Sequence, residues 1–326
     1  LAGVPEIHGL VALRVPGELP SLHHDAALVS PVLHAQVPPL DATAWQAEFE
    51  RYRESPQYTT VNRGMSLSEF KLIFWYEYAH RLLARLLGLV FALPLLWFWW
   101  RGWIAPPLRW KLLGVLALGA AQGYMGWYMV KSGLVDIPRV SQYRLAAHLS
   151  LALLVYAAML WLALQLRWPV AKTGRRRRGI VAALLALVGA TIVIGAFVAG
   201  LRAGLAYNTF PLMAGQWVPD GLLTLAPAWR NLFENPTMVQ FVHRCLALTP
   251  LALIGVLWLR VQRGGLDRGQ RLALHALLAM GLVQVALGIA TLLWRVPVLL
   301  GTLHQGGAVL LLSAVLVLAH RGVPAR

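Results

Sequence analysis

The sequence predicts an all-α, polytopic membrane protein built from two pseudo-symmetric helical bundles. Its 326 residues are 58% hydrophobic and only 13% charged, whereas soluble domains carry about 25% charged residues. Seven apolar runs reach the length of roughly 20 residues that a membrane-spanning helix needs. Motifs of the first half of the chain also return in the second half. Together these observations exclude an ordinary soluble domain.

The apolar runs follow a polar N-terminal segment. They cover approximately residues 72–100, 112–130, 144–166, 179–200, 237–260, 272–293 and 298–319. Lysine and arginine collect in alternate loops, most densely at Arg175 to Arg178, and such loops are cytoplasmic by the positive-inside rule. The C-terminus is therefore expected inside and residues 1–70 outside. The formal charge of +16 then reflects topology, so we expect membrane lipid and no nucleic acid as a partner.

The N-terminal segment divides into two parts. Trp45, Phe49 and Tyr52 are spaced i, i+4, i+7, which predicts a short amphipathic helix before the membrane. Residues 1–40 contain neither a span nor a signal peptide, and we expect them to be atypical, from a truncated or misread start. The role of their histidines, His8, His23, His24 and His34, stays open. The single Cys245 excludes an intrachain disulfide and argues against a cysteine metal site.

Four histidines lie inside the apolar runs at one depth. His80, His148, His243 and His304 fall on the first, third, fifth and seventh runs, about 5–9 residues from the outer end, or about 8–13 Å by helical rise. Pairs of histidines in an apolar bundle suit axial ligation of haem iron, while zinc usually takes three or four protein ligands. The alternative is that they are core histidines hydrogen-bonded across helices. His275, without a repeat partner, is expected to be structural.

The repeat relates these histidines in pairs. Gln122-Gly123-Tyr124-Met125-Gly126 is matched about 160 residues later by Gln284-Val285-Ala286-Leu287-Gly288, and His80-Arg81 by His243-Arg244. A parallel duplication is the natural interpretation. Arg81 and Arg244 could pair with haem propionates or extend to the outer interface, and both alternatives stay open.

The two halves differ at one position beside the first histidine of each. Glu77 precedes His80 by three residues, whereas Gln240 takes that place before His243. Ionisable groups at membrane depth are costly and usually mark function. We therefore expect a reactive site in the first half and a structural or electron-transfer haem in the second.

These motifs resemble the haem A synthase family, in its proteobacterial and mitochondrial branch. The resemblance runs from about Asp41 to the end of the chain. It is carried by the stretches 69–71, 77–81, 126–134, 143–148, 208–213, 240–244 and 291–293, and by His304-Gln305.

The resemblance implies eight helices in two four-helix bundles, one helix more than the seven runs. It implies that His243 and His304 ligate a resident haem b, and that His80 and His148 hold the substrate haem o. Glu77 would be essential for oxidising the C8 methyl of haem o to a formyl group by successive hydroxylations. A role for Glu77 in acting on water or stabilising positive charge at the methyl carbon is a hypothesis.

The resemblance also sets the expected organisation and partners. Residues 1–70 form an extracytoplasmic segment, 71–170 the haem-substrate bundle and 171–326 the haem b bundle. The protein is expected in the bacterial inner membrane, or alternatively the mitochondrial one, near haem O synthase and the cytochrome oxidase assembly machinery. The electron acceptor and any homo-oligomer stay open.

Other functions are compatible with four membrane histidines. A non-enzymatic di-haem b electron carrier is the main alternative, and Glu77 opposite Gln240 favours the enzyme over it. An inactive, N-terminally damaged family member is a further alternative. A transporter is disfavoured, because the polar residues cluster at one depth and mark no pathway through the bilayer.

Overall fold

A computed structural model describes residues 37–133, 140–168, 178–261 and 266–322. The predictions for the N-terminal histidines and for the arginines at 175–177 lie outside these ranges. Within them the chain is helical and has no strand. The helices, in chain order, are α1 (Ala42–Arg53), α2 (Pro56–Thr60), α3 (Leu67–Trp100), α4 (Pro106–Gly133), α5 (Gln142–Arg167), α6 (Arg178–Gly200), α7 (Asn231–Glu234), α8 (Pro236–Val261), α9 (Arg268–Leu293) and α10 (Val298–Arg321).

Six of these helices are long and apolar enough to cross a membrane, namely α3, α5, α6, α8, α9 and α10. The all-α membrane class is therefore confirmed. The predicted count of seven spans is one too high by this measure. The second predicted run lies in α4, which is long enough to span a membrane at 28 residues. Gln122 and the glycines of α4 make this helix less apolar than the other six.

The amphipathic helix predicted before the membrane is confirmed as α1. Trp45, Phe49 and Tyr52 are all buried, and they pack against Phe70 and Phe74 near the start of α3. A capping box of Ser66 and Glu69 begins α3 by satisfying backbone N–H groups that a helix start leaves unpaired. α1 thereby fixes the N-terminal end of α3.

The long helices of the second half form a closed ring. α6 packs on α8, α8 on α9, α9 on α10, and α10 back on α6. A core of fully buried side chains fills the ring; it includes Leu184, Ile254, Leu257, Leu277 and Val315.

The long helices of the first half form an open row in the described part of the chain. α3 packs on α4 and α4 on α5, and α5 joins the row to the ring by packing on α6 and α10. The window of α3 that could cross the membrane is only 6% buried.

Residues 201–235 connect α6 to α8 and lie over one end of the ring; we name them the outer segment, after the side of the membrane that the sequence predicts for them. Its backbone is held by asparagine side chains, which satisfy groups that a loop would otherwise leave unpaired. Asn208 donates to Leu292 O at 2.8 Å, and the buried Asn231 donates to Leu225 O and Ala228 O. The segment therefore has a fixed position relative to the histidines of the ring.

Candidate functional site

One large cavity, of about 2400 Å³, lies between the described helices. It is lined by all four histidines of the repeat, His80, His148, His243 and His304, and also by Glu77. Pockets for drug-sized ligands measure about 300–1000 Å³, so this cavity has room for more than one large ligand. The structure brings together the residues that the sequence placed at a common depth.

The two histidines of the second half face each other across the ring. The centroids of the His243 and His304 imidazoles are 6.4 Å apart and their planes are nearly perpendicular, at 86°. α8 supplies His243 and α10 supplies His304. The pair comes from two elements of a closed ring, which limits how far the imidazoles can move apart.

Three of the four histidines rest against a glycine on a neighbouring helix. A Cβ added to Gly126, Gly195 or Gly288 would lie 3.0, 3.1 or 2.9 Å from Cε1 of His148, His243 or His304 respectively. Such distances are shorter than ordinary carbon contacts of about 3.5–4.0 Å. Each glycine is therefore needed for the close approach of an imidazole to the neighbouring backbone.

In each copy of the Gln-x-x-x-Gly motif, both the glutamine and the glycine contact the same histidine of the next helix. Gln122 Nε2 lies 3.3 Å from His148 Nε2, and Gln284 Nε2 lies 3.2 Å from His304 Nδ1. Residues four apart share a helix face, so the glutamine and the glycine of each motif reach the same imidazole. The sequence showed this motif as part of the repeat, but its role in holding a histidine was not predicted.

The structure pairs Glu77 with Arg81 one helical turn away. Arg81 Nη1 lies 3.4 Å from Glu77 Oε2, and the Glu77 side chain is only 11% exposed. Neither alternative for Arg81, a propionate contact or extension to the interface, included this ion pair. The i, i+4 spacing was the signal in the sequence that could have revealed it.

The corresponding residues of the second half, Gln240 and Arg244, bind the outer segment instead. Gln240 Nε2 and Arg244 Nη2 each donate to Tyr207 O at 2.9 Å. An amide and a guanidinium can share one carbonyl oxygen, because that oxygen has two lone pairs. The Glu77–Gln240 difference thus corresponds to two different networks, an ion pair within α3 and a tie between α8 and the outer segment.

The histidines that line the cavity fit a tetrapyrrole with a metal at its centre. Nδ1 of His148 is buried without a hydrogen-bond partner in the described part of the chain. Buried polar groups without partners are uncommon and call for an explanation such as an absent ligand. Opposed imidazoles in an apolar cavity, closely backed by glycine, are the arrangement that axial haem ligation needs.

His275, expected to be structural, lies elsewhere. It is not among the residues that line the cavity, and its Nδ1 accepts a hydrogen bond of 3.1 Å from Trp258 Nε1. A neighbouring helix therefore supplies a hydrogen-bond partner for this exposed histidine.

The fold and the cavity define the class: a helical membrane protein whose paired histidines line an internal site for a large apolar ligand. The family model for the COX15-CtaA cytochrome oxidase assembly protein matches residues 30–316. The chain belongs to this family.

Individual relatives are similar over most of their length. The chain is 52% identical to "Heme A synthase" of Nitrosospira multiformis over 87% of this chain and 81% of that protein. It is 46% identical to "Heme A synthase COX15" of Mus musculus and of Homo sapiens, over 88% of this chain and 73% of each.

Proposed function

We propose that this chain is a haem A synthase that oxidises the C8 methyl of haem o to a formyl group by successive hydroxylations. The observation that carries the proposal is the convergence of all four histidines and Glu77 on one cavity. The names of the relatives at about half identity support the enzyme rather than an electron carrier.

The two histidine pairs would have separate tasks. His243 and His304 would hold a resident haem b, and His80 and His148 the substrate haem o. Haem b, when bound, supplies one-electron chemistry. The glycines and glutamines that contact three of these histidines support the assignment, because a ligand for a metal needs partners that fix its orientation.

Glu77 would act where the methyl group reacts. If water supplies the oxygen, the conversion of a methyl to a formyl group consumes one water and releases four protons and four electrons, the electrons going to an acceptor outside this chain. A carboxylate can take a proton from water or stabilise positive charge at carbon. The Arg81 ion pair would orient the Glu77 carboxylate until substrate binds.

The arginines beside the histidines would serve the two haems differently. Arg244 lines the cavity and its Nε is buried without a partner in the described residues, so a haem b propionate is a fitting acceptor. Arg81 Nη2 is likewise buried without a partner in the described residues, so Arg81 could bind a propionate of haem o while its Nη1 keeps the contact with Glu77. The protein would work in an inner membrane with its C-terminus inside, near haem O synthase and the oxidase assembly machinery.

The direct test is expression in bacterial membranes that produce haem O but lack haem A synthase. The non-covalent haems are extracted and separated by chromatography with mass detection. We expect haem A or its hydroxylated precursor. Haem B as the only co-purifying haem would contradict the proposal and favour a carrier or an inactive relative.

The same assay tests Glu77. Glu77→Gln keeps the size of the side chain but removes its charge, so we expect product to fall about 10²–10⁴-fold while haem b still co-purifies. The matched control is Glu50→Gln on α1, whose carboxylate pairs with Arg53 away from the cavity. Unchanged haem A in the Glu77→Gln variant would reject this role.

A further inference from the structure

A second arginine of α3 lines the cavity one turn beyond Arg81. The residues of α3 that face the cavity recur at helical spacing, and Arg85 follows Glu77 and Arg81 along the same flank. Leu86 and Leu89 do not line the cavity, whereas Arg85, an exposed residue, does. Arg85 therefore lies on the cavity side of a membrane-spanning helix.

Arg85 differs from the other two arginines in its partners. Arg81 is paired with Glu77 and Arg244 donates to Tyr207 O. Arg85 makes no hydrogen bond, ion pair or ring contact with any residue in the ranges that the structure describes. A cation at membrane depth is costly unless it pairs with a negative group or reaches water. The side chain thus calls for an anionic partner in the cavity.

The second half of the repeat has no arginine at the position that corresponds to Arg85. The offset that relates His80 to His243 relates Arg85 to Leu248, which lines the cavity from α8. Both bundles would hold a tetrapyrrole, and in the first half one nitrogen of Arg81 is engaged by Glu77. Among the described residues Arg244 contacts backbone carbonyls and no carboxylate, and an apolar residue stands at position 248.

We infer that Arg85 binds a propionate carboxylate of the tetrapyrrole held by His80 and His148, an inference that rests on the proposed function. Side chains on a helix lean toward its N-terminus, so the guanidinium of Arg85 extends back toward the level of His80 and Arg81. A guanidinium matches a carboxylate with two parallel hydrogen bonds. Arg85 thereby adds a second cation for the propionates, while Arg81 Nη1 keeps its contact with Glu77.

The test compares a ligand with and without free carboxylates. The full chain carries His243→Ala and His304→Ala, so that only the first pair of histidines can ligate, and is titrated in nanodiscs with haem b and with haem b dimethyl ester. Binding is followed in the Soret band. The variants are Arg85→Leu, which introduces the residue type of position 248, and Arg85→Lys. The matched control is Arg101→Leu, at the end of α3 and outside the cavity lining.

We expect Arg85→Leu to weaken haem b binding by about tenfold or more, the equivalent of one charge-assisted hydrogen bond. Ester binding is expected to be the same in all variants, and Arg85→Lys to be intermediate. Equal haem b affinity in Arg85→Leu and its parent, or an equal loss for acid and ester, would overturn the inference. A loss that occurs with haem o but not with haem b would also overturn it, because it would assign Arg85 to the hydroxyl of the haem o side chain.

The outcome is separable from the proposed function. If the unaltered chain makes no haem A but Arg85→Leu still weakens carboxylate-dependent binding, the inference stands and the proposed reaction fails. If haem A forms and Arg85 has no effect on binding or turnover, the reaction stands and the inference fails.

Discussion

At the scale of single residues, glycines on neighbouring helices set the position of three of the imidazoles. His304 lies so close to α9 that a Cβ on Gly288 would stand 2.9 Å from its Cε1. The sequence identified the histidines because a polar group in an apolar run is conspicuous. It could not identify Gly195 in the same way, because glycine is common in membrane helices and only the packing of α6 on α8 shows what it faces.

Gly288→Ala should therefore displace the His304 imidazole. We expect the low-spin haem b spectrum to weaken and the affinity for haem b to fall, with packing strain of about 1–3 kcal/mol. The matched control is Gly306→Ala on α10, where an added Cβ meets nothing within 4 Å. Helix propensity alone favours alanine by about 1 kcal/mol, so the control should be neutral or stabilising. An unchanged spectrum in Gly288→Ala would show that the ring has room to move.

The arginines show where reasoning from the sequence stopped short. The sequence predicted Glu77 on the same flank of its helix as His80, since the two are three positions apart, and both line the cavity. It left the partner of Arg81 open, because an arginine can reach several acceptors and the choice depends on which lies in the same low-dielectric space. The Tyr207 carbonyl that binds Gln240 and Arg244 comes from more than 30 residues upstream, and no local pattern predicts such a contact.

At the scale of elements, the outer segment is attached to α5 by a small charged network. Tyr143 Oη donates to Glu234 Oε1 at 2.9 Å, and Arg230 pairs with the same carboxylate. The hydrogen bond from Arg230, followed by that from Tyr143, lowers the pKa of Glu234 below its ordinary value. The network joins the start of the His148 helix to the segment that covers the second histidine pair.

This network should loosen in acid. Because the pKa of Glu234 is lowered in the folded protein, the contact contributes its full stability above the ordinary carboxyl pKa of about 4.5. That contribution is lost as the pH falls through the lowered pKa. We expect the fluorescence of Trp229, taken as the difference from Trp229→Phe, to change in that window. Glu234→Gln should abolish the change; a transition of equal size in Glu234→Gln would assign it to another group.

At the scale of the whole molecule, the two halves close their helices differently. α6, α8, α9 and α10 complete a ring with its own buried core, whereas α3, α4 and α5 form a row in the described residues. The duplication was visible in the sequence through its short motifs. The ring and the row could not be predicted from the sequence, because the offset between two motifs relates positions along the chain and does not show which helices are in contact.

The closed ring should therefore be able to act without the first half. We expect residues 171–326, expressed alone in membranes, to bind haem b with the same spectrum as the full chain, because every pair of neighbours in the ring and both His243 and His304 are retained. The surface that α5 covers on α6 and α10 would face lipid, which suits its apolar residues. The control is His243→Ala in the same fragment, which should bind no low-spin haem. If the fragment folds by circular dichroism but binds no haem b while the full chain does, the second pair of histidines depends on α5 for its geometry, and the two halves are one unit.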